Sequence, residues 1–280
     1  MTTSYADVLS ALEVEPVGDG RFRGHHIPGP GQVVFGGQIL GQSIVAAARS
    51  LPTKDVRSIH TVFSRGAALD APLDIEVETM ADGRAVGSMT VTVRQGERLC
   101  SRSLVLASAE EPDLVRHQPP MPPVAGPTAA RPSHAPWWEL AYVGDVDIND
   151  PELTGPAELP VWSRVTGTTD DAALNQALLA YATDGFLIAT AMRPHEGVGQ
   201  SMAHREVSTS VLTHTLTFHE PVDAGAWHLL AHESPYAGRG RAFGRAQVFT
   251  EDGRLVASYG QESLLRANPS WDPAQGPGNH

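Results

Sequence analysis

The second half of this chain repeats the first, and that duplication restricts the fold more than any other feature. Ser58-Ile59-His60-Thr61-Val62-Phe63 has a counterpart in Leu212-Thr213-His214-Thr215-Leu216-Thr217-Phe218, and Asp82-Gly83-Arg84 has one in Gly238-Arg239-Gly240-Arg241. Gln95-Gly96-Glu97-Arg98 corresponds to Glu251-Asp252-Gly253-Arg254, and the run Ser103 to Ser108 to Leu255 through Ser258. The spacings agree. His60 to Arg84 is 24 positions against 25 for His214 to Arg239, and Arg84 to Arg98 is 14 against 15 for Arg239 to Arg254. Each copy sets a helix rich in small residues ahead of its strands, Gly36 to Ala48 in the first and Ala172 to Ile188 in the second. Period-two, β-branched runs such as Ser88-Met89-Thr90-Val91-Thr92-Val93-Arg94, followed by a turn at Gln95-Gly96, read as antiparallel strands joined by hairpins. A helix followed by such strands, made twice, predicts an α+β fold of two tandem modules, each a helix packed on a curved antiparallel sheet.

Prolines mark the boundary between the copies. Pro112, Pro119, Pro120, Pro122, Pro123, Pro127, Pro132 and Pro136 exclude a helix interior or a central strand, and the Asp-rich run Gly144 to Pro160 continues the irregular region. The expected division is a module at 1–110, a Pro-rich linker at 111–160, a second module at 161–270 and a frayed tail at 271–280. A net charge of −12 argues against nucleic acid or an anionic membrane surface as the main partner. Cys100 stands alone, which rules out an internal disulfide framework and fits a reducing compartment. The first twenty residues carry Asp7, Glu13, Glu15 and Asp19 and no apolar run behind a basic start, and nowhere do eighteen apolar residues follow one another. The expectation is a cytoplasmic protein with no membrane insertion.

One residue in the second helix is out of place. If Ala172 to Ile188 is helical, capped by Asp170 or Asp171, the neighbours of Asp184 are Ala177, Ala180, Tyr181, Leu187, Ile188 and Ala191. An uncompensated carboxylate among such residues costs several kcal/mol, so Asp184 is either satisfied by a backbone amide near a helix end disturbed by Gly185, or it is working. Strand parity adds a second polar group. On the strand Leu255 to Arg266, Gln261 alternates with Leu255, Ala257, Tyr259 and Leu265, while Glu262 and Arg266 face the other way. Gln261 is then a core amide paired with backbone or a partner for Asp184. Gly36-Gly37 opens an apolar helix, and there it either presents amides to an anion or oxyanion or simply permits close helix-on-sheet packing. Gly-x-Ser-x-Gly, phosphate-loop and His-Glu-x-x-His patterns are missing, as are paired cysteines, and His25-His26 reads as a polar surface pair in a Gly/Pro-rich loop. No metal or cofactor is expected.

Taken together, Gln32 to Gln42, Tyr181-Ala182-Thr183-Asp184 with Arg193-Pro194-His195, Thr217 to Pro221, His232 to Pro235, Phe249 to Ser258 and Gln261 to Arg266 resemble the acyl-CoA thioesterase II family. The likeness spans both modules, from Phe22 to Arg266. It implies a double hotdog, in which each long helix is wrapped by an antiparallel sheet, and hydrolysis of fatty acyl-CoA to free acid and CoA. The family's catalytic Asp falls on Asp184 and its Gln on Gln261. Its third member, a Ser or Thr two residues before an Asp-His pair, falls on Val211, and Thr213 rather than Asp precedes His214. Strict alternation puts 211 and 213 on one face, so Thr213 is the hydroxyl expected to substitute. A second departure is Arg65-Gly66, where the family commonly has a proline after the arginine. Burial is expected to raise the Asp184 pKa toward neutrality, as suits a general base. Gly36 and Gly37 are expected to bind the substrate carbonyl, and Arg239 and Arg241, with Arg245 nearby, the CoA phosphates. A homo-oligomer, dimer or higher, is expected by fold analogy. Two rivals stand beside hydrolysis: a non-hydrolytic acyl-CoA or lipid-binding protein, and a hotdog hydratase acting on enoyl thioesters.

Overall fold

A computed structural model describes residues 3–27, 33–127, 131–132 and 136–268, so the tail expected at 271–280 lies outside the described residues. The first half contains α1 (Tyr5–Leu12), β1 (Glu15–Gly18), β2 (Arg21–Gly24), α2 (Gly36–Ser50), β3 (Asp55–Phe63), β4 (Leu73–Asp82), β5 (Val86–Gln95) and β6 (Arg98–Ser108). There follow β7 (Arg131–Pro132), β8 (Trp138–Tyr142), β9 (Glu158–Val165), α3 (Ala172–Thr183) and α4 (Leu187–Met192). Four long strands close the described residues, β10 (Val207–Phe218), β11 (His228–Gly238), β12 (Arg241–Thr250) and β13 (Leu255–Ala267). Thirteen strands of the described residues make one antiparallel sheet in the order β1-β2-β4-β5-β6-β3-β10-β13-β12-β11-β9-β8-β7. The two halves meet where β3 pairs with β10, with Thr213 opposite Val62 and Thr217 opposite Ser58. Trp138–Tyr142 and Arg131–Pro132, within the stretch expected to be irregular, add two short strands beside β9 at one end of the sheet.

The small residues of the two helices have a different partner from the one expected. α2 and α3 lie antiparallel against each other, not only against sheet. A Cβ on Gly37 would lie 2.6 Å from the Tyr181 carbonyl, and one on Gly41 3.0 Å from the Ala177 carbonyl. Gly37 and Gly41 are one helical turn apart, as are Ala177 and Tyr181, so two matched stripes let the backbones approach. At the far end, Asp171 caps α3 through Oδ1, which accepts from the Ala173 and Leu174 amides at 2.9 and 3.1 Å. Its Oδ2 meets Arg49 Nη2, in the last turn of α2, at 2.6 Å. α3 is enclosed on all sides, with Ala173 through Ala180 buried, because α2 and the sheet cover it together.

The helix expected over Ala172 to Ile188 is interrupted. α3 stops at Thr183, Asp184 is its C-cap residue with φ −84° and ψ −2°, and the chain re-enters a helix at Leu187. Gly185 is a poor helix interior residue, and a side chain there would stand 3.4 Å from Trp138. The break redirects α4 onto β11 and β12 while leaving Asp184 buried.

Candidate active site

Asp184 sits where three elements of both halves converge. From the end of α3 its carboxylate reaches the first turn of α2, where the Gly37 amide donates to it. A Cβ on Gly36 would lie 2.6 Å from Oδ2, so the carboxylate's approach to that helix end requires glycine. The Gly37 amide at this helix N-terminus thus has the protein's own Asp184 as an acceptor. The other oxygen, Oδ1, accepts no hydrogen bond among the described residues and lies 3.9 Å from Nδ1 of His214. Burial raises the Asp184 pKa from 3.8 to about 7, against the opposing pull of the Gly37 amide. Tyr181, one helical turn before Asp184, joins an aromatic cluster, packing on Phe35 and Trp137 with ring centroids 4.8 and 5.2 Å apart, and Phe186 packs on Trp138 at 5.9 Å.

His214 on β10 and Gln261 on β13 are directly opposite each other and both buried. Burial holds the His214 pKa down to about 4, so the ring is neutral at pH 7 and carries one proton. Its Nδ1 has two oxygens close by, Oε1 of Gln261 at 3.2 Å and Oδ1 of Asp184, which assigns the proton to Nδ1. Nε2 faces the Thr183 hydroxyl at 3.1 Å, and the ring stacks on Tyr259. Donation from Nδ1 fixes the Gln261 amide: its oxygen turns to His214 and its Nε2 donates to Ser263 Oγ at 2.8 Å. Tyr259 in turn bonds His232, whose Nδ1 reaches the Leu159 carbonyl at 2.6 Å. One imidazole therefore lies beside both residues, hydrogen-bonded to Gln261 and 3.9 Å from the Asp184 carboxylate, and it is a core histidine to which sequence reasoning ties no acid.

Thr213 is not part of this cluster. β10 carries a bulge at Leu212, so Val211 pairs with Ser263 while Thr213 pairs with Glu262. The extra residue reverses the alternation, placing His214 inward and Thr213 on the outer face beside exposed Glu262. The hydroxyl expected from Thr213 is therefore turned away from Asp184. Ser263 was missed, although the parity that exposed Gln261 also applies two residues on. The two arginines do not converge on the carboxylate either. Arg239 lies in the β11–β12 turn with φ 55°, and Arg241 is on the outer face, 3.5 Å from Glu262. His25 faces Glu15 at 3.8 Å, while His26 hydrogen-bonds the Ala71 carbonyl. Among the described residues no group of three or more His, Cys, Asp or Glu is placed to hold a metal ion.

Comparison with known proteins agrees with this architecture. A model of the acyl-CoA thioesterase N-terminal domain matches residues 25–108, and one of the C-terminal domain matches residues 115–265. The chain is 29% identical over 283 residues to acyl-CoA thioesterase 2 of Haemophilus influenzae, covering 93% of this chain and 97% of that protein. It is 28% identical over 300 residues to human acyl-coenzyme A thioesterase 8, with 94% and 89% covered. Among solved structures, a TesB protein of Mycobacterium avium subsp. paratuberculosis superposes with a TM-score of 0.81 at 28% identity, covering 94% of this chain and all of that one. An acyl-CoA thioesterase II of Mycobacterium marinum gives 0.80 at 27% identity, with 95% and 99% covered.

Proposed function

This chain belongs to the acyl-CoA thioesterase family, and on that premise we propose that Asp184 is the general base that turns water onto the thioester carbonyl. The single observation that carries the reading is a fully buried carboxylate with one oxygen unpartnered and a pKa near 7. The reaction is hydrolysis of acyl-CoA to free acid and CoA. Asp184 Oδ1 takes a proton from water as its oxygen bonds the carbonyl carbon. The tetrahedral adduct then collapses, the C–S bond breaks, and the departing thiolate recovers the proton. Gln261, whose oxygen is held by His214 and one N–H by Ser263, keeps its second N–H for the water and then the oxyanion. The Gly37 amide holds the carboxylate, Gly36 leaves room for it, and the same helix end is the proposed contact of the substrate carbonyl.

The CoA phosphates fall to Arg239 and Arg241, both exposed at the β11–β12 turn, so charge reversal there raises KM with kcat little changed. No helix of the described residues is long and apolar enough to cross a membrane. Cytoplasmic action, consistent with the lone buried Cys100, and a homo-oligomer complete the proposal. Val62, Leu104 and Leu106, exposed by 46%, 54% and 43% on neighbouring strands, support association. The decisive experiment follows free thiol from medium- and long-chain acyl-CoAs with the native protein and Asp184→Asn. Thiol release, cut roughly 100-fold or more by the substitution, is expected. Tight binding without thiol would make this a binding protein, and loss of enoyl absorbance without thiol a hydratase.

A further inference from the structure

Four hydroxyls on α3, β10 and β13 can be compared as partners of the Asp184, His214 and Gln261 group. Thr183 is adjacent to Asp184, but its Oγ1 is engaged by the Ala180 carbonyl at 2.8 Å and by His214. Thr209 faces inward further along β10, where its only hydrogen-bond partner among the described residues is His204. Thr213 faces out. Ser263 is 2% exposed, lies on the inner face of β13, and accepts from Gln261 Nε2 at 2.8 Å. That is the one hydrogen bond of its hydroxyl among the described residues. Accepting through its oxygen leaves the O–H proton to donate.

The ladder shows why this serine matters. His214 is opposite Gln261 and Val211 is opposite Ser263, so these four residues form a patch on the inner face of β10 and β13. Three corners are polar and hydrogen-bonded to one another, and the fourth, Val211, is aliphatic. Opposed residues of an antiparallel pair have Cβ atoms about 5 Å apart, so a hydroxyl at either 211 or 263 can meet the same Gln261 amide. We infer that Ser263 supplies the hydroxyl that Val211 lacks, displaced by one strand across the ladder. It is a positioning residue: it fixes the Gln261 amide, and through it the water delivered to Asp184. Without the Ser263 acceptor the amide is held only at its oxygen, by His214, and its N–H loses the anchor that aims it at the oxyanion.

This inference rests on the assignment of Asp184 and Gln261, so Asp184→Asn is run alongside. The assay is steady-state thiol release from an acyl-CoA by the full chain, its Ser263→Ala, Ser263→Thr and Ser263→Ala/Val211→Thr variants, with folding checked by circular dichroism. Loss of the hydroxyl is expected to lower kcat by roughly 10- to 100-fold with KM changed less than about twofold. Ser263→Thr, which keeps the hydroxyl, should retain kcat within about threefold. The double variant, with the hydroxyl moved to the facing strand, should recover most of the lost rate. A merely structural serine would not be rescued from the opposite strand. Wild-type kcat in Ser263→Ala, or a folded double variant as slow as Ser263→Ala, overturns the role of Ser263 while leaving Asp184 untouched. Undiminished thiol release by Asp184→Asn instead overturns the base.

Discussion

If Asp184 carries the pKa its surroundings impose, then replacing it should stabilise the protein while abolishing its activity, and the gain should depend on pH. Its pKa rises from 3.8 to about 7 on folding. Between those values the unfolded chain has already lost the proton that the native state keeps, so stability falls as pH rises through this window and is level above it. Each pKa unit is about 1.4 kcal/mol, so a rise of roughly three units costs the native state about 4 kcal/mol above pH 7. At about pH 5 little more than a third of that cost is felt, leaving a growth of about 3 kcal/mol by pH 8. Asp184→Asn cannot ionise and escapes it. His214 and His232, both held down to about 4 by burial, work in the opposite sense: their contribution is present above pH 6.5 and is lost as pH falls toward 4. Both proteins retain those histidines, so the difference between the two isolates the carboxylate. The assay is denaturant unfolding of each protein at about pH 5 and pH 8. A difference in unfolding free energy that stays constant within about 0.5 kcal/mol between the two pH values would show that Asp184 is not a desolvated acid, and the general-base argument would fall with it.

Three further outcomes are expected. The kcat/KM profile should climb with pH and level off above an apparent pKa near 7, because the base must be ionised; a profile flat from pH 5 to 8 would contradict this. Gly41→Ala places a Cβ 2.8 Å from Leu12 Cδ2 and 3.0 Å from the Ala177 carbonyl, so it should cost about 1–3 kcal/mol by forcing α2 away from α3. Native-like stability in that variant would mean the helices are not in close contact. Arg49→Ala breaks the 2.6 Å pair with Asp171, yet both side chains are partly exposed, so denaturant unfolding should register less than about 1 kcal/mol.

Much of the site was legible because its signals are local. A carboxylate surrounded at helical spacing by Ala, Leu, Ile and Tyr is buried wherever that helix packs, and period-two alternation placed Gln261 inward without knowledge of its neighbours. Asp170 and Asp171 both read as cap candidates because the first amides of any helix need an acceptor, and the structure selects Asp171. Ser263 was equally available, two residues beyond Gln261 on the same parity, but nothing local marked a buried serine as paired with that amide. Thr213 shows where alternation fails: one extra residue at Leu212 inverts the face of everything after it, and no residue type there announces a bulge.

The sequence alone therefore determined the duplication, the α+β class, the burial of Asp184 and the inward face of Gln261, since these depend on periodicities within single segments. Tertiary structure decided what those groups meet. The Gly37 amide meets Asp184, and Gly36 leaves room for it, because the helix of one module lies against the helix of the other. His214 meets the Gln261 amide because β10 and β13 pair in one register, and the same register sets Ser263 opposite Val211. Contacts between segments far apart in the chain arise from the packing of two modules, and no single helix or strand encodes them.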